Sequence, residues 1–486
     1  MSVIRLLPLS ELARLREIVH ILVKYGFEDM VGFLRLNPLK AAGDRLLFRK
    51  APASEPRPVR LRKALEELGP TFSKLGQILS ARPDLLPPDY IEELSRLQDR
   101  VTPLPFERIE ALLEEAWGMP PGERLARLDP VPLGQATIAQ VHRGTLFDGT
   151  EVAIKVRRPG ILPKVEADLS ILSVLSGLLE DNLEKSRRYH PREVVKEFSR
   201  ILRLELDFTH EGKNIERAAR HFADDPEIVI PRHFPEYSTD RVLVLEFLDG
   251  IKIDQTDRFP EMGTTPEIIA RVGARSILKQ VFVFGFFQGD PHPGNILVLS
   301  GSRIGILDFG MFGTLSKTWR TLLGDLLVAL SDNDTARVVG LLRRMEAIPE
   351  DCDTLRLESE LARFLDEFVN QPLSEIRVDL LASELFAISR EHALKLPAEL
   401  VLLLRALVIM EGIGRQLDPS FNMLEEARPF IVSQFLKNFG FSELFRNMKI
   451  SSRTVLRILS GLPERVERLV TRRIGKFRID FSLRHL

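Results

Sequence analysis

The spacing of apolar residues along the 486-residue chain alternates between helical and strand-like periodicity. Residues 1–125 show helical periodicity interrupted by proline-rich joints. Residues 131–156 and 242–247 are rich in β-branched side chains and are bounded by Gly or Asp, a pattern typical of strands. Helical periodicity returns after about residue 255, interrupted at 290–308 by a loop and a short strand pair. This order predicts a helical extension, a small β-rich lobe, a larger helical lobe and a helical tail.

The first of these helices is amphipathic, because its apolar residues recur at helical spacing. One face carries Leu12, Leu15, Val19, Leu22 and Val23. Such a helix either docks on the body of the protein or lies on a membrane surface, and docking is our preferred interpretation. Glu11 and Glu17 interrupt the apolar run, which argues against a secretory or mitochondrial targeting peptide.

The composition of the chain restricts its function. Lys plus Arg total 68 and Asp plus Glu total 69, so the formal net charge is −1. A chain so balanced has no global positive field, which argues against nucleic acid as a partner. The single cysteine, Cys352, excludes an intramolecular disulfide and a cysteine-based zinc finger, and it favours an intracellular protein. The longest apolar stretches, 281–287 and 400–410 with Arg405 inside it, are shorter than the ~20 residues that span a bilayer.

The candidate chemistry begins with a loop of small residues and a strand lysine. Residues 134–141 read G-x-A-x-x-A-x-V, which keeps the register of the kinase phosphate loop G-x-G-x-x-G-x-V. Glycine in such a loop lets backbone amides approach phosphates closely. Fourteen residues after Val141, Val152-Ala-Ile-Lys155 places a lysine where kinases bind the α- and β-phosphates. Taken alone, Lys155 is also compatible with a surface lysine whose stem packs on the sheet.

Two further segments follow in the order of a kinase active site. Asp290 precedes Asn295 by five residues, the spacing of the catalytic loop in which Asp orients the acceptor and Asn binds Mg²⁺. Thirteen residues after Asn295, Asp308-Phe-Gly310 supplies a second hard oxygen ligand suited to Mg²⁺ on phosphates. Each segment alone is a weak signal, but four segments in this order indicate a site for ATP and Mg²⁺.

The chain also departs from protein kinases in two places. Gln288 and Gly289 precede Asp290, so the His of the kinase H-R-D segment is missing. No A-P-E segment follows Asp308-Phe-Gly310, so the usual platform for a peptide substrate is missing as well. Both departures argue against an ordinary protein kinase.

Kinases also pair the strand lysine with a helix glutamate. Three candidates precede the second strand segment, namely Glu197, Glu205 and Glu211. We favour Glu205, because Glu205 and Asp207 lie two residues apart and straddle a predicted helix end. Each of the other two remains a solvated carboxylate on a helix face under this interpretation.

One more segment, Phe72 to Ser80, has helical spacing and stands outside the kinase pattern. Lys74 and Gln77 share a helix face. Gly76 in the middle of a helix costs about 1 kcal/mol relative to alanine, which predicts close packing of its backbone against a neighbour. From the residues alone, Lys74 and Gln77 are interpreted as surface side chains.

Six segments together carry a resemblance to a known family. They are Lys74-Leu-Gly76-Gln77, Pro132-Leu-Gly-Gln-Ala-Thr-Ile-Ala-Gln-Val-His142, Val152-Ala-Ile-Lys155, Glu205-Leu-Asp207-Phe, Asp290-Pro-His-Pro-Gly-Asn295 and Asp308-Phe-Gly310. From about residue 60 to 422 the chain resembles the UbiB family, atypical kinase-like proteins of ubiquinone (coenzyme Q) biosynthesis. The resemblance implies an α+β, protein-kinase-like two-lobed fold with an N-terminal helical extension and a helical C-terminal tail.

The resemblance implies roles for individual residues. Lys155 would hold phosphates, Asp290 would orient the attacking group, and Asn295 and Asp308 would bind Mg²⁺. The implied contacts to ATP or ADP come from Gly134, Gln135, Ala136, Thr137, Val141, Ala153, Lys155, Glu205, Glu246 and Leu248. A regulatory set comprises Lys74, Gly76, Gln77 and Asp207. In the family, Lys74 and Gln77 would face the nucleotide, which reverses their interpretation as surface residues.

Two segments differ from the family pattern. Gly134-Gln-Ala-Thr137 stands where the family reads more nearly A-A-A-S, which predicts a different balance between ATP and ADP. Gln288-Gly-Asp290 replaces the family's H-A-D, so the packing behind the catalytic loop is not predicted.

The leading functional hypothesis is an Mg²⁺-dependent ATPase or atypical kinase that supports quinone biosynthesis at a membrane. The expected partners are adenine nucleotide, an anionic membrane surface, quinone-precursor lipids and other quinone biosynthetic proteins. The expected location is the cytoplasmic side of a bacterial inner membrane. A true protein kinase, which would transfer phosphate to a peptide or to itself, remains an alternative. A nucleotide-gated scaffold or chaperone, which would bind nucleotide without turnover, is the other.

The sequence predicts four domains, with a charge asymmetry at the C-terminal end. They are a helical extension (1–125), an N-lobe (126–248), a helical C-lobe (249–430) and a basic helical tail (431–486). Residues 449–486 hold ten Lys or Arg against three acids, a net charge of +7, which leaves −8 on the rest of the chain. Such a tail either is a solvated helix face or attracts anionic lipid, and family members usually continue into apolar helices. We therefore expect peripheral membrane binding, with an anchor in the native chain.

Overall fold

The computed structural model describes six ranges of the chain, which are 8–33, 55–97, 102–182, 190–331, 334–369 and 376–438. The fold divides into two compact units. The first comprises residues 1–269, 288–312 and 400–406, and the second comprises 270–287, 313–399 and 407–486. The four domain boundaries expected from the sequence remain predictions.

Helices dominate both units. Numbered in chain order, they are α1 (Leu9–Lys24), α2 (Glu28–Phe33), α3 (Arg57–Leu68), α4 (Pro70–Ser80), α5 (Pro88–Ser95), α6 (Phe106–Trp117), α7 (Ile161–Asn182), α8 (Pro191–Leu206), α9 (Phe208–His221), α10 (Pro266–Leu278), α11 (Lys317–Ser331), α12 (Thr335–Arg344), α13 (Thr354–Val369), α14 (Val378–Glu391), α15 (Ala398–Leu417) and α16 (Met423–Asn438). The strands are β1 (Leu125–Gln135), β2 (Ala139–Leu146), β3 (Glu151–Arg157), β4 (Ile228–Val229), β5 (Val242–Glu246), β6 (Ile251–Lys252), β7 (Phe286–Gln288), β8 (Ile296–Leu299), β9 (Arg303–Ile306) and β10 (Phe312–Thr314). The α+β class expected from the sequence is confirmed.

The N-terminal helix α1 docks on the first unit, which confirms the preferred interpretation of its apolar face. Leu15 and Val19 are buried against α3 and α7 in one hydrophobic cluster. Arg14 fixes the helix in place, because its Nε donates to Asp168 Oδ1 at 2.7 Å and its Nη2 donates to the Leu68 carbonyl at 2.6 Å. A carboxylate buried as completely as that of Asp168 requires such a partner.

The first sheet presents one apolar face and one functional face. Its strand order is β1-β2-β3-β5, and all neighbours are antiparallel. Val152 and Ile154 on β3 are buried against α6. Alternation along the strands therefore places Lys155 on the opposite face, together with its register partners Val141 and Leu243.

The second sheet positions the loop segments identified in the sequence. Its strand order is β4-β9-β8-β6, and β8 and β9 form the short antiparallel pair expected between residues 290 and 308. Ile296 lies opposite Ile306, and the Leu307 amide donates to the Asn295 carbonyl at 2.9 Å. The hairpin therefore brings residue 295, at the start of β8, beside residue 308, just beyond the end of β9.

The second unit is helical, as the sequence predicts. Helices α11 to α14 share a hydrophobic cluster, and Leu357 and Leu365 of α13 lie at its buried centre. Glu411 on α15 caps the start of α14, because its carboxylate accepts the amides of Val378 and Asp379 at 2.7 and 3.2 Å. Of the helices in the described ranges, none combines the length and hydropathy needed to cross a membrane. The basic segment 449–486, and with it the predicted membrane-binding tail, lies outside the described residues.

Candidate nucleotide site

The strand lysine pairs with Glu211. Lys155 Nζ lies 2.9 and 2.8 Å from the two carboxylate oxygens of Glu211. The preference for Glu205 as this partner is therefore wrong. The helical conformation is interrupted at Asp207, between α8 and α9. Glu205 therefore lies in the last turn of α8, whereas Glu211 lies in the first turn of α9. Phe208, buried at the start of α9, lies beneath the lysine with its ring centroid 5.2 Å from Nζ.

The charges around Lys155 keep it protonated. Burial alone would lower the pKa of Lys155, but the negative charges of Glu211 and Asp308 outweigh burial and raise it. The lysine side chain is still 26% exposed, whereas that of Glu211 is 6% exposed. An ammonium group that is held by a buried carboxylate and reaches solvent is suited to bind an anionic ligand such as phosphate.

Glu205 instead pairs with Lys74 of α4. Lys74 Nζ lies 3.0 Å from Glu205 Oε2, and the lysine side chain is 22% exposed. Burial raises the pKa of Glu205; Lys74 opposes this shift, and the nearby charge of Asp308 adds to it. The interpretation of Lys74 as a surface residue is wrong, because α4 directs it at a buried carboxylate beside Asp308 and Lys155.

The neighbours of Lys74 on α4 have packing roles. A Cβ atom on Gly76 would lie 2.2 Å from Leu97 Cδ1 and 2.9 Å from Leu65 Cδ1, which confirms the predicted close packing of its backbone. Gln77 donates from Nε2 to the Leu97 carbonyl at 3.2 Å. Whether Gln77 contacts a nucleotide remains a prediction.

Asp207 acts as a helix cap. Its carboxylate accepts the Thr209 amide at 3.0 Å and the Thr209 hydroxyl at 2.7 Å, which satisfies donors at the start of α9. The side chain is exposed. Asp207 thus sets the break between the helices of Glu205 and Glu211, and its regulatory role remains a prediction.

The two predicted metal ligands lie side by side. Asn295 Nδ2 donates to Asp308 Oδ2 at 3.2 Å, so the amide oxygen of Asn295 stays available as a ligand. Asp308 Oδ1 accepts the Gly310 amide at 2.9 Å. In the described ranges, no cluster of three or more His, Cys, Asp or Glu side chains forms a metal cage. One carboxylate and one amide oxygen, completed by phosphates and water, match the coordination that Mg²⁺ adopts at nucleotide sites.

Two amide side chains that sequence reasoning did not assign hold the Asp308 loop. Gln288, which is buried, donates from Nε2 to the Asp308 carbonyl at 2.9 Å. Asn214 of α9 donates to the Phe309 carbonyl at 2.9 Å. Helix α9 thus carries both the partner of Lys155 and an anchor of the Asp308 loop, three residues apart. The replacement of the kinase His by Gln288 was the available signal, whereas nothing in the sequence marked Asn214.

Asp290 has a partner from a distant part of the chain. Arg405 Nη2, on α15, donates to Asp290 Oδ1 at 3.2 Å. The side chain of Arg405 is 19% exposed and that of Asp290 is 36% exposed. The sequence signal was the interruption of the apolar stretch 400–410 by Arg405, to which sequence reasoning attached no function.

The phosphate loop joins β1 to β2. Gly134 and Gln135 end β1, and Ala136 donates its amide to the Ala139 carbonyl at 2.8 Å. Thr137 is buried. Arg158 Nε donates to the Ala136 carbonyl at 3.0 Å, so the loop is fastened to the end of β3.

The remaining predicted nucleotide contacts lie on or beside the first sheet. Val141 and Ala153 are partly buried on the Lys155 face, because Ala153 is two residues from Lys155. The Glu246 carboxylate accepts the Arg232 amide at 3.1 Å on the exposed end of β5. The Leu248 side chain lies against β9, where a Cβ on Gly305 would come within 2.8 Å of Leu248 Cδ1.

Comparison with known proteins identifies the family and the fold. A model of the ABC1 atypical kinase-like domain matches residues 96–342, and a model of the UbiB helical domain matches residues 361–422. A solved structure from Mycobacterium tuberculosis, the complex of Rv3197 with erythromycin, has a similar fold with a TM-score of 0.50 and 24% identity. The similarity covers 73% of this chain and 90% of that chain. The fold and the site therefore define a kinase-like protein.

Three curated relatives extend over most of the chain. The probable protein kinase UbiB of Pectobacterium carotovorum is 34% identical over 90% of this chain and 82% of its own length. An uncharacterised protein from the hydrogenase 1 5′ region of Clostridium pasteurianum is 34% identical over 89% of this chain and 79% of its own. The uncharacterised Synechocystis protein sll1770 is 33% identical over 84% and 70%. The chain belongs to the ABC1/UbiB family of atypical kinase-like proteins.

Proposed function

We propose that the protein is an Mg²⁺-dependent enzyme that binds ATP or ADP, acts as an ATPase or small-molecule kinase, and supports ubiquinone biosynthesis. Its expected site of action is the cytoplasmic face of a bacterial inner membrane, as the family membership suggests. The observation that carries the proposal is the joint placement of two pairs in one compact unit. These pairs are Lys155 with Glu211 and Asn295 with Asp308.

The residues divide the chemistry among them. Lys155 binds the α- and β-phosphates, and the backbone amides of residues 134–137 approach the same group. Asn295 and Asp308 hold Mg²⁺, which neutralises phosphate charge when bound. Asp290 orients a water molecule or an acceptor hydroxyl for in-line attack.

The pair of Lys74 and Glu205 supports a regulatory role for α4. The charge of Glu205 contributes to the raised pKa of Lys155, and the charge of Asp308 contributes to the raised pKa of Glu205. A bound nucleotide would add negative charge beside Glu205, so binding and the pair of Lys74 and Glu205 influence each other electrostatically. The missing A-P-E segment and the presence of α4 favour an ATPase or small-molecule kinase over a protein kinase.

The decisive test is phosphate release from Mg-ATP by wild type and by Asp308→Asn. We expect turnover in wild type and a loss of on the order of 10³-fold in the variant, because the carboxylate is one of the two protein ligands for Mg²⁺. Asp257→Asn, which changes an exposed aspartate, is the matched control. Undiminished hydrolysis in Asp308→Asn would refute the assignment of Asp308 as an Mg²⁺ ligand in ATP turnover.

Two additions to the same assay separate the alternatives. Anionic liposomes and a phenolic mimic of a quinone precursor should stimulate phosphate release if the enzyme acts on lipid-like quinone precursors at a membrane. Thermal stabilisation by nucleotide with no turnover under any lipid condition would instead favour the scaffold. Phosphate transfer to peptides by wild type, insensitive to changes at Lys74 or Gly76, would favour a protein kinase.

A further inference from the structure

Arg405 contacts the predicted catalytic carboxylate from within an apolar helix segment. Ten of the eleven residues from 400 to 410 are Leu, Val, Ala, Ile or Met, and the eleventh is Arg405. Arg405 Nη2 lies 3.2 Å from Asp290 Oδ1, and both residues belong to the same compact unit. The position of Arg405 in the helix thus allows its guanidinium to form an ion pair with Asp290.

Helix α15 fits closely against the catalytic loop beside this contact. A Cβ atom on Gly289 would lie 2.4 to 2.7 Å from three side-chain atoms of Leu402. Leu402 and Arg405 are three residues apart and so share one helix face. The loop backbone at Gly289 and the carboxylate at Asp290 therefore meet a single rigid surface, defined here as the Leu402–Arg405 face.

Stability alone does not account for the arginine. Its Nη1 atom is buried and, within the part of the chain that the structure describes, has no hydrogen-bond partner. A buried donor without a partner costs more free energy than an ion pair with a partly exposed carboxylate contributes. An apolar residue at this position would cost less, so the arginine requires another explanation, and its contact with Asp290 supplies one.

The contact leaves one oxygen of Asp290 available. Arg405 occupies Oδ1, whereas no described residue donates a hydrogen bond to Oδ2. The carboxylate is 36% exposed, so Oδ2 can reach a ligand. A carboxylate held at one oxygen has a restricted rotation, and the direction of its second oxygen is then set by the protein.

We propose that Arg405 is a positioning residue, which fixes the Asp290 carboxylate through Oδ1 and directs Oδ2 at the attacking water or acceptor hydroxyl. This inference rests on the proposed phosphotransfer or ATPase function. Arg405 itself contacts none of Lys155, Asn295 or Asp308 among the described interactions, so it acts on turnover through Asp290. Nucleotide binding should not depend on it.

The test compares Arg405→Gln, Arg405→Lys and Asp290→Asn in the full chain, with Arg271→Gln as control for an exposed arginine. We expect Arg405→Gln to lower kcat for Mg-ATP about 10²-fold, as for a misplaced catalytic group, with KM and nucleotide affinity changed less than about threefold. Arg405→Lys should recover about tenfold of this loss, because it restores the charge without the planar fork. Arg271→Gln should match wild type.

The double variant Arg405→Gln, Asp290→Asn separates positioning from a merely structural role. If Arg405 acts through Asp290, the double variant turns over no more slowly than Asp290→Asn alone, because the residues form one unit. The inference would be overturned if the kcat losses of the two single variants multiplied in the double variant, or if Arg405→Gln kept wild-type kcat. The proposed function would remain intact in either case.

A readout that does not depend on turnover completes the test. Hydrogen–deuterium exchange of the peptide covering residues 288–295 should accelerate in Arg405→Gln and stay unchanged in Arg271→Gln. Absence of phosphate release in wild type would overturn the proposed function; unchanged exchange in Arg405→Gln would then overturn the positioning role as well. Faster exchange confined to this peptide supports it even if turnover is undetectable.

Discussion

Replacing Glu211 by Gln tests which glutamate supports Lys155. The change keeps the shape of the side chain but removes its charge. Lys155 Nζ donates to both oxygens of Glu211, at 2.9 and 2.8 Å, and glutamine retains only one neutral acceptor. Lys155 would remain near Asp308 but would lose the partner that holds it on the α9 side.

The structure gives the size of this effect. Hydrogen bonds to charged groups contribute about 1.5–3 kcal/mol each. Because the Lys155 side chain is 26% exposed, water can replace part of the lost hydrogen bonding, and glutamine keeps one of the two hydrogen bonds. A net effect of about 2 kcal/mol follows, which corresponds to roughly a 30-fold decrease in kcat/KM for Mg-ATP.

The matched control is Glu205→Gln, the same substitution in the glutamate favoured by the sequence. We expect a clearly smaller decrease in kcat/KM than in Glu211→Gln, because Glu205 pairs with Lys74 and acts on Lys155 only through its charge. The assay is steady-state phosphate release over a range of Mg-ATP concentrations, with thermal melting to verify folding. A severe loss in Glu205→Gln together with near-normal kinetics in Glu211→Gln would refute the assignment of the pair.

Three further predictions address stability and the catalytic loop. The raised pKa of Glu205 means that the folded state binds its proton more tightly, so this stabilisation is complete below the unfolded-state pKa and is lost as pH rises through the folded-state pKa. The free energy of unfolding of wild type relative to Glu205→Gln, measured in urea, should therefore fall with rising pH, and a rise would contradict the prediction. Gly76→Ala should destabilise the protein by about 1 kcal/mol through overpacking, whereas Gly340→Ala, with open space at Cβ, should stabilise it by about 0.5–1 kcal/mol. Equal effects in urea unfolding would disprove the packing argument. Gln288→Leu leaves the Asp308 carbonyl without its donor and should lower kcat about tenfold, while Gln288→His should be milder if its ring reaches the same carbonyl. Equal rates for wild type and Gln288→Leu would show that this hydrogen bond does not support turnover.

Local sequence patterns were sufficient for much of the fold. The β8–β9 pair follows from short apolar runs on either side of a turn, and the docked face of α1 follows from its helical periodicity. The close packing at Gly76 could be predicted as well, because a glycine inside a helix is costly unless a neighbour needs the space. Spacing also brought Asn295 and Asp308 together, since a hairpin of fixed register places its two ends side by side.

The pairing of charges required the tertiary structure. The sequence alone does not decide which of Glu197, Glu205 and Glu211 pairs with Lys155. The interruption between two helices at Asp207 places Glu211 on the helix that faces Lys155. The contact between Arg405 and Asp290 joins residues 115 positions apart, and that between Asn214 and Phe309 joins residues 95 apart. The sequence by itself determined much of which elements form, because propensity and periodicity are local. The tertiary structure decided which charge meets which, because an ion pair depends on how separate helices pack and not on their spacing along the chain.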